Sequence, residues 1–321
     1  MIQYARMTRP DVAVVTSIGS EHNRSLRNIQ RTREEKVKIL AGLSPRGVAV
    51  LNGDDPNVRW MATQTENRTI TFGFGETNEV RASQLATYWP KGTQLKVHAN
   101  GKTCEMSIRL LGRHMVYPIL AAIATALAKG FSLEQILPPL ENLSPTPGRL
   151  EPIQLANGAV ILRDDFKSPL ETIHAALDLF SQIPAKRRMV VLGDVSEPPG
   201  SQGPIYREIG ERIANIASHA IFVGGSFQCY AAGARRGGLP SSSILNAGRS
   251  ALKAAELLRK ELRPGDVVLI KGRDTQCLSR ITLALTGRKV RCNIDFCDTR
   301  AVYCETCPIL ERGYEGQRVF V

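Results

Sequence analysis

Four cysteines crowd together near the C-terminal end of the chain: Cys292, Cys297, Cys304 and Cys307, spaced C-x4-C-x6-C-x2-C. A C-x-x-C pair lets two thiolates grip one tetrahedral ion, and four thiolates close its coordination sphere. The cluster therefore predicts a structural Zn2+ rather than a catalytic one. Cys104, Cys229 and Cys277 stand alone and read as small buried residues. A second candidate is Asn100-Gly101-Lys102-Thr103, which has the ending of a phosphate-binding loop. Such a loop needs a glycine five residues before its second one, and Lys96 stands there. Asn-Gly between two alternating runs is a hairpin signal, and the segment reads as a hairpin. No other G-x-x-x-x-G-K-[ST] stretch occurs in the chain.

The elements that would carry such residues follow from the hydrophobic pattern. Val12–Ser17, Gly47–Asn52 and Ile70–Phe74 are short β-branched apolar runs, as in buried parallel strands. Helical spacing over Ser25–Leu43 separates the first two, which makes a strand–helix–strand unit. Ala82–Leu111 alternates and predicts a small antiparallel sheet. Met115–Gly130 is an alanine-rich helix ended by glycine. Ser144–Arg149 (SPTPGR) is a Pro/Gly-rich linker. Beyond it, apolar runs at Val160–Arg163, Met189–Gly193, Ala220–Val223 and Val267–Lys271 alternate with amphipathic stretches at Leu170–Phe180, Ile205–Ala217 and Ala251–Glu261. The expected fold class is α/β. A doubly wound, Rossmann-like second domain ends near Gly287 and is followed by an irregular cysteine-rich tail.

Composition bounds the rest. The 321 residues suggest two domains. The formal net charge of +12 favours acidic partners. The basic residues are scattered apart from a cluster between Arg24 and Arg46, so nucleic acid is not the expected partner. No apolar run approaches the ~20 residues of a membrane span. The N-terminal sequence lacks the layout of a signal peptide, which makes the cytoplasm the expected location.

Several stretches, in order, carry a family likeness. They are Arg9–His22 (RPDVAVVTSIGSEH), Glu35–Leu43 (EKVKILAGL), Gly47–Pro56 (GVAVLNGDDP), Gly112–Val116 with Ala121-Ala122, Pro147-Gly148-Arg149, Leu192-Gly193-Asp194 with Glu197, and Gly265-Asp266 with Lys271-Gly272-Arg273. Together they resemble the Mur-type ATP-dependent amide ligases, nearest to the D-alanyl-D-alanine-adding members. The likeness covers residues 1 to about 287. It implies residues 1–146 as part of a Mur ligase central domain and 147–288 as the C-terminal domain, with 289–321 as the cysteine-rich tail.

The resemblance implies chemistry as well. Such ligases use ATP to phosphorylate a carboxylate on a nucleotide-linked cell-wall precursor, and an amino acid or dipeptide amine then attacks the acyl phosphate. His22 matches a Mg2+-binding histidine. Lys36 matches a lysine whose carbamate holds Mg2+. Arg149 matches an arginine that binds nucleotide phosphate. Asp164 or Asp165 stands where an aspartate contacts the nucleotide sugar. Lys167 falls within the same stretch as a substrate-binding candidate, and Lys271 and Arg273 match positions that could bind the carboxylate of the incoming amino acid. The sequence also departs from the pattern. Met115 and Pro118 replace the asparagines that read adenine, Ser17 replaces an asparagine, and the phosphate loop is not found. The expectation is therefore a ligase portion that needs a phosphate-loop-bearing segment or partner chain. The alternative is a non-catalytic ligase-like module with a structural zinc. A basic zinc-bearing nucleic-acid binder has thin support from Arg291, Arg300 and Tyr303.

Overall fold

A computed structural model of the chain describes residues 1–19, 23–298 and 303–313. The backbone divides into two compact units, residues 1–145 and 146–321.

In the first unit six strands form one sheet in chain order: β1 (Val12–Val15), β2 (Val48–Asn52), β3 (Arg68–Gly73), β4 (Val80–Tyr88), β5 (Gly92–Ala99) and β6 (Lys102–Ile108). The first four run parallel, with β3 and β4 joined over only two residue pairs, and β4–β5–β6 are antiparallel. The expected small antiparallel sheet is thus an extension of the parallel one. Phe72 and Gly73 pair with Val80 and Arg81, which carries the hydrogen bonding across the change of direction. The Asn100-Gly101 hairpin is present: Ala99 pairs with Lys102, and both central residues have positive φ (51° and 73°).

All five residues of β2 are buried, because apolar layers cover both faces of the sheet. On one face helix Arg113–Ala128 packs against β2, β3 and β4, burying Phe72, Leu95, Met106, Leu120 and Ile123. On the other, Leu51 meets Leu40, Val58 and Met61. Each such side chain contributes roughly 1.5–3 kcal/mol by leaving water. The helix ends where Gly130 takes φ +87°, with the Phe131 amide bonded to the Ala126 carbonyl and the Gly130 amide to that of Leu127. The helix expected over Ser25–Leu43 is broken. Arg27 has φ +70°, Asn28 caps a new helix at Ile29–Lys36, and a 3-10 turn runs over Val37–Gly42.

The second unit holds a six-stranded sheet. Its strands are β7 (Glu151–Gln154), β8 (Val160–Asp164), β9 (Arg188–Leu192), β10 (His219–Phe222), β11 (Ile244–Asn246) and β12 (Val267–Lys271), in the order β11-β10-β9-β12-β8-β7. All are parallel except the edge strand β7, which lies antiparallel to β8. Strand β12 returns between β8 and β9, so three strands distant in sequence end side by side. Helices Leu170–Gln182, Gln202–Ala214, Phe227–Arg236, Ala251–Glu261 and Ser279–Leu285 accompany the strands. Helices 202–214 and 227–236 approach closely because a side chain on Gly233 would sit 1.9 Å from the Arg207 carbonyl.

The segment after Gly287 folds back onto this unit. The Arg291 and Cys292 amides donate to the Leu310 carbonyl (2.8 and 3.1 Å), and Leu310 is buried. The Cys297 amide reaches the Thr275 carbonyl at 2.9 Å. Arg288 binds Glu311 at 3.0 Å. Among the described residues no helix is long and apolar enough to cross a membrane.

Candidate functional site

The carboxyl ends of β8, β12 and β9 bring the candidates of the second unit together. In open α/β sheets this edge is where ligands bind. Register sets the arrangement: Lys271, the last residue of β12, lies opposite Asp164 on β8 and Leu192 on β9. Its ammonium lies 2.8 Å from Asp164 Oδ2 and donates to the Lys167 carbonyl at 2.8 Å. Lys271 is 1% exposed, and burial lowers its pKa against the pull of Asp164. A buried ammonium survives there because the Asp164 carboxylate and the Lys167 carbonyl both meet it.

Asp165 belongs to a second network. Arg163 Nε contacts both its carboxylate oxygens at 3.0 and 3.2 Å, and the same guanidinium meets Glu151 at 3.6 Å and ion-pairs with Glu305 of the tail. Burial pushes the Asp165 carboxyl up to about 6, against the opposing effect of Arg163. Arg149 stacks over the Phe166 ring at 4.6 Å, and the ring of Tyr303 lies 6.1 Å from Phe166 on the tail side. Arg149 remains partly exposed. Ser168 is fully buried, and its hydroxyl has no hydrogen-bond partner among the described residues.

A third group forms beyond β9. Asp194 lies 3.9 Å from Arg273. Gln276 fixes it by accepting from the Asp194 amide at 2.9 Å and donating to its carboxylate at 3.3 Å and to the Val223 carbonyl at 3.0 Å. Burial raises the Asp194 pKa, while the charges of Arg273 and Arg249 oppose the rise. The Val195 amide donates to the Tyr206 hydroxyl oxygen at 3.2 Å. The result is a strand-end rim with partly exposed positive charge at Arg149 and Arg273 over buried acid–base pairs.

The structure separates the sequence candidates by burial. Asp164, Asp165 and Lys271 are buried and committed to internal ion pairs. Arg149 and Arg273 keep surface toward solvent, and Lys167 is partly exposed. In the first unit Lys36 ends helix Ile29–Lys36 and is half-buried. His22 lies outside the described residues. Sequence reading missed Arg163, Gln276 and Arg249, whose partners are up to 82 residues away. No local pattern signals such pairings.

The structure lends the expected zinc no support. Among the described residues, no three His, Cys, Asp or Glu side chains come together to hold a metal. Cys292, Cys297, Cys304 and Cys307 do not converge as ligands. Cys292 is buried under the returning chain.

Comparison with known proteins agrees with this architecture. Residues 2–126 match the Mur ligase middle domain, and residues 148–273 match the Mur ligase, glutamate ligase domain. The UDP-N-acetylmuramoyl-tripeptide--D-alanyl-D-alanine ligase of Escherichia coli is 27% identical over 226 residues, covering 67% of this chain and 50% of that protein. The ligase of the same name from Mycobacterium tuberculosis is 26% identical over 303 residues, covering 88% of this chain and 59% of that protein. The chain thus spans about half to three fifths of the length of these relatives. Among solved structures, MurF from Acinetobacter baumannii superposes with TM-score 0.76 at 23% identity, over 89% of this chain and 62% of that one. A Thermotoga maritima MurF ligase in complex with ADP gives 0.73 at 20% identity, over 89% and 62%. With both units matched in order, and with the fold shared, the chain belongs to the Mur ligase family.

Proposed function

We propose that this chain is the middle and C-terminal portion of an ATP-dependent amide ligase. It would join an amino acid or dipeptide to the carboxylate of a nucleotide-linked cell-wall precursor. The family match across both units carries this reading. The relatives named for D-alanyl-D-alanine addition support that amino component. The chain contains no phosphate-loop motif. The reading therefore has the ATP phosphates cradled by a segment outside these 321 residues, on the same or another polypeptide.

Each residue has a part that its surroundings suit. Arg149, backed by Phe166, offers a guanidinium to a nucleotide phosphate. Arg273, partly exposed and held beside Asp194, offers one to the carboxylate of the incoming amino component. Lys271 and Asp164 are positioning residues that fix the backbone from which Lys167 and Arg273 project. Asp165 does the same through Arg163. Mg2+ would neutralise the transferred phosphate and the developing acyl-phosphate charge. As a hard ion it takes oxygen ligands, which Lys36 would offer only as a carbamate.

The test is reconstitution. The chain, supplied with a phosphate-loop-bearing segment, should form an amide with ATP hydrolysis. Lys36→Ala should lose most of the rate, since a metal-ligating group supplies several kcal/mol of transition-state stabilisation. Bicarbonate or a short carboxylic acid should restore part of it. No amide in any reconstitution would leave the chain as a non-catalytic module, and equal rates for wild type and Lys36→Ala would remove Lys36 from the site.

A further inference from the structure

The hairpin turning at Asn100-Gly101 brings together three side chains that the ligase reading does not use. Ser83 on β4, His98 on β5 and Thr103 on β6 lie on one face of the antiparallel sheet, while their neighbours Ala82, Val97 and Cys104 turn to the core. His98 stands across from Thr103. Ser83 pairs with Lys96 and is the diagonal neighbour of His98 on its other side. Ser83 Oγ lies 2.7 Å from His98 Nε2, and His98 Nδ1 lies 2.9 Å from Thr103 Oγ1. The serine stands at a β-bulge: the register between β4 and β5 shifts after Ser83, and Gln84 takes φ 52°. A bulge re-aims the side chains beside it, and non-glycine residues in the left-handed region gather at working sites.

We propose that Ser83 is an acyl-accepting nucleophile with His98 as its general base, forming a hydrolytic site for small activated carboxylic esters. The imidazole carries its proton on Nδ1, where Thr103 Oγ1 accepts it, and Nε2 is left to accept from the serine. A hydroxyl is a weak nucleophile until a base takes its proton. Ser83 Oγ attacks the ester carbonyl carbon as its proton passes to Nε2. The bond from that carbon to the leaving oxygen breaks, and the alcohol departs with the proton from Nε2. Water then attacks the acyl-serine, giving a proton to Nε2, and Oγ leaves with that proton. Ester and water become carboxylic acid and alcohol, and the serine is regenerated.

The surroundings suit these roles. Ser83, His98 and Thr103 all keep surface toward solvent, so a small ester reaches Oγ. Burial, and then the charges of Arg81 and Lys96, lower the His98 pKa, which keeps the ring neutral at neutral pH as a base must be. Arg81 pairs across from His98 and Lys96 across from Ser83. Register thus sets two cations beside the oxyanion that forms on the substrate. Glu105 on β6 faces the same group, 3.7 Å from Lys96. Thr103 is a positioning residue that acts through the imidazole. No step needs ATP, so this inference is independent of the ligase reading.

The full chain is incubated with a fluorophosphonate at neutral pH without nucleotide and digested with trypsin. The phosphonyl group should lie on Ser83, in the peptide of residues 82–91. The unlabelled chain should hydrolyse p-nitrophenyl acetate, and Ser83→Ala should lose that activity. His98→Gln should slow both reactions on the order of 100-fold. Thr103→Val should slow them and Thr103→Ser should restore them, a rescue expected of a hydroxyl that sets the tautomer. The proposal is overturned if wild-type Ser83 stays unlabelled or if Ser83 is labelled equally fast in His98→Gln. It is equally overturned if Ser83→Ala hydrolyses the ester as fast as wild type.

Discussion

The Lys271 ammonium lies 2.8 Å from the Asp164 carboxylate at the carboxyl ends of two adjacent parallel strands, both side chains shut away from water. Such a pair is held by its geometry, because two charges taken out of water are repaid only by well-placed partners. Lys271→Met would strand Asp164 and should cost about 3–5 kcal/mol in urea unfolding. Asp164→Leu added to it should recover much of that loss. A single variant as stable as wild type would mean that the two groups are not paired in solution.

Asp165 makes stability depend on pH. Its folded pKa is raised by burial to about 6 from 3.8. Between those values the folded state binds more proton than the unfolded one, so this group's contribution falls as pH rises through the window. Wild type should lose stability relative to Asp165→Asn from pH 4 to pH 6, and the difference should level off above. Denaturant midpoints for both proteins across that range check the sign. A difference that grows in favour of wild type would contradict a raised pKa.

The Tyr230 hydroxyl donates to the Gly193 carbonyl at 2.9 Å, and its ring stacks on Phe222 at 4.6 Å. Tyr230→Phe keeps the stack and leaves a buried carbonyl unmet, at a cost of about 1–3 kcal/mol. Gly193 leads directly into Asp194, so the same variant should also loosen the Asp194–Arg273–Gln276 group. Faster amide hydrogen exchange at residues 193–195 is the expected readout.

Gly233→Ala tests helix contact in the second unit. The added carbon would meet the Arg207 carbonyl at 1.9 Å, and main chain cannot swing aside as a side chain can. Overpacking of this kind costs typically about 1–3 kcal/mol, and thermal unfolding should show a lowered Tm. Gly101→Ala is the contrast. Nothing lies within 4 Å of the new carbon, and only the left-handed φ of +73° opposes it, so about 1–2 kcal/mol is expected.

Local pattern determined a good part of this protein. The continuous apolar runs at β2, β9 and β12 announced buried parallel strands, Asn100-Gly101 announced its hairpin, and Gly130 its helix end, because each depends on a few neighbouring residues. The motifs in order announced the family, since their types and spacing survive without knowledge of the fold. Tertiary structure alone decided what the charged and sulfur-bearing residues do. Register across β8 and β12 buried Lys271 on Asp164, and the same strand end turned Asp165 to Arg163. The antiparallel strands joined the parallel sheet through a two-pair bridge that no alternation could reveal. The cysteine run that spacing had made look like a metal site gathers no metal-holding group among the described residues. Sequence separation carries no record of such contacts, because packing chooses them from the whole folded chain.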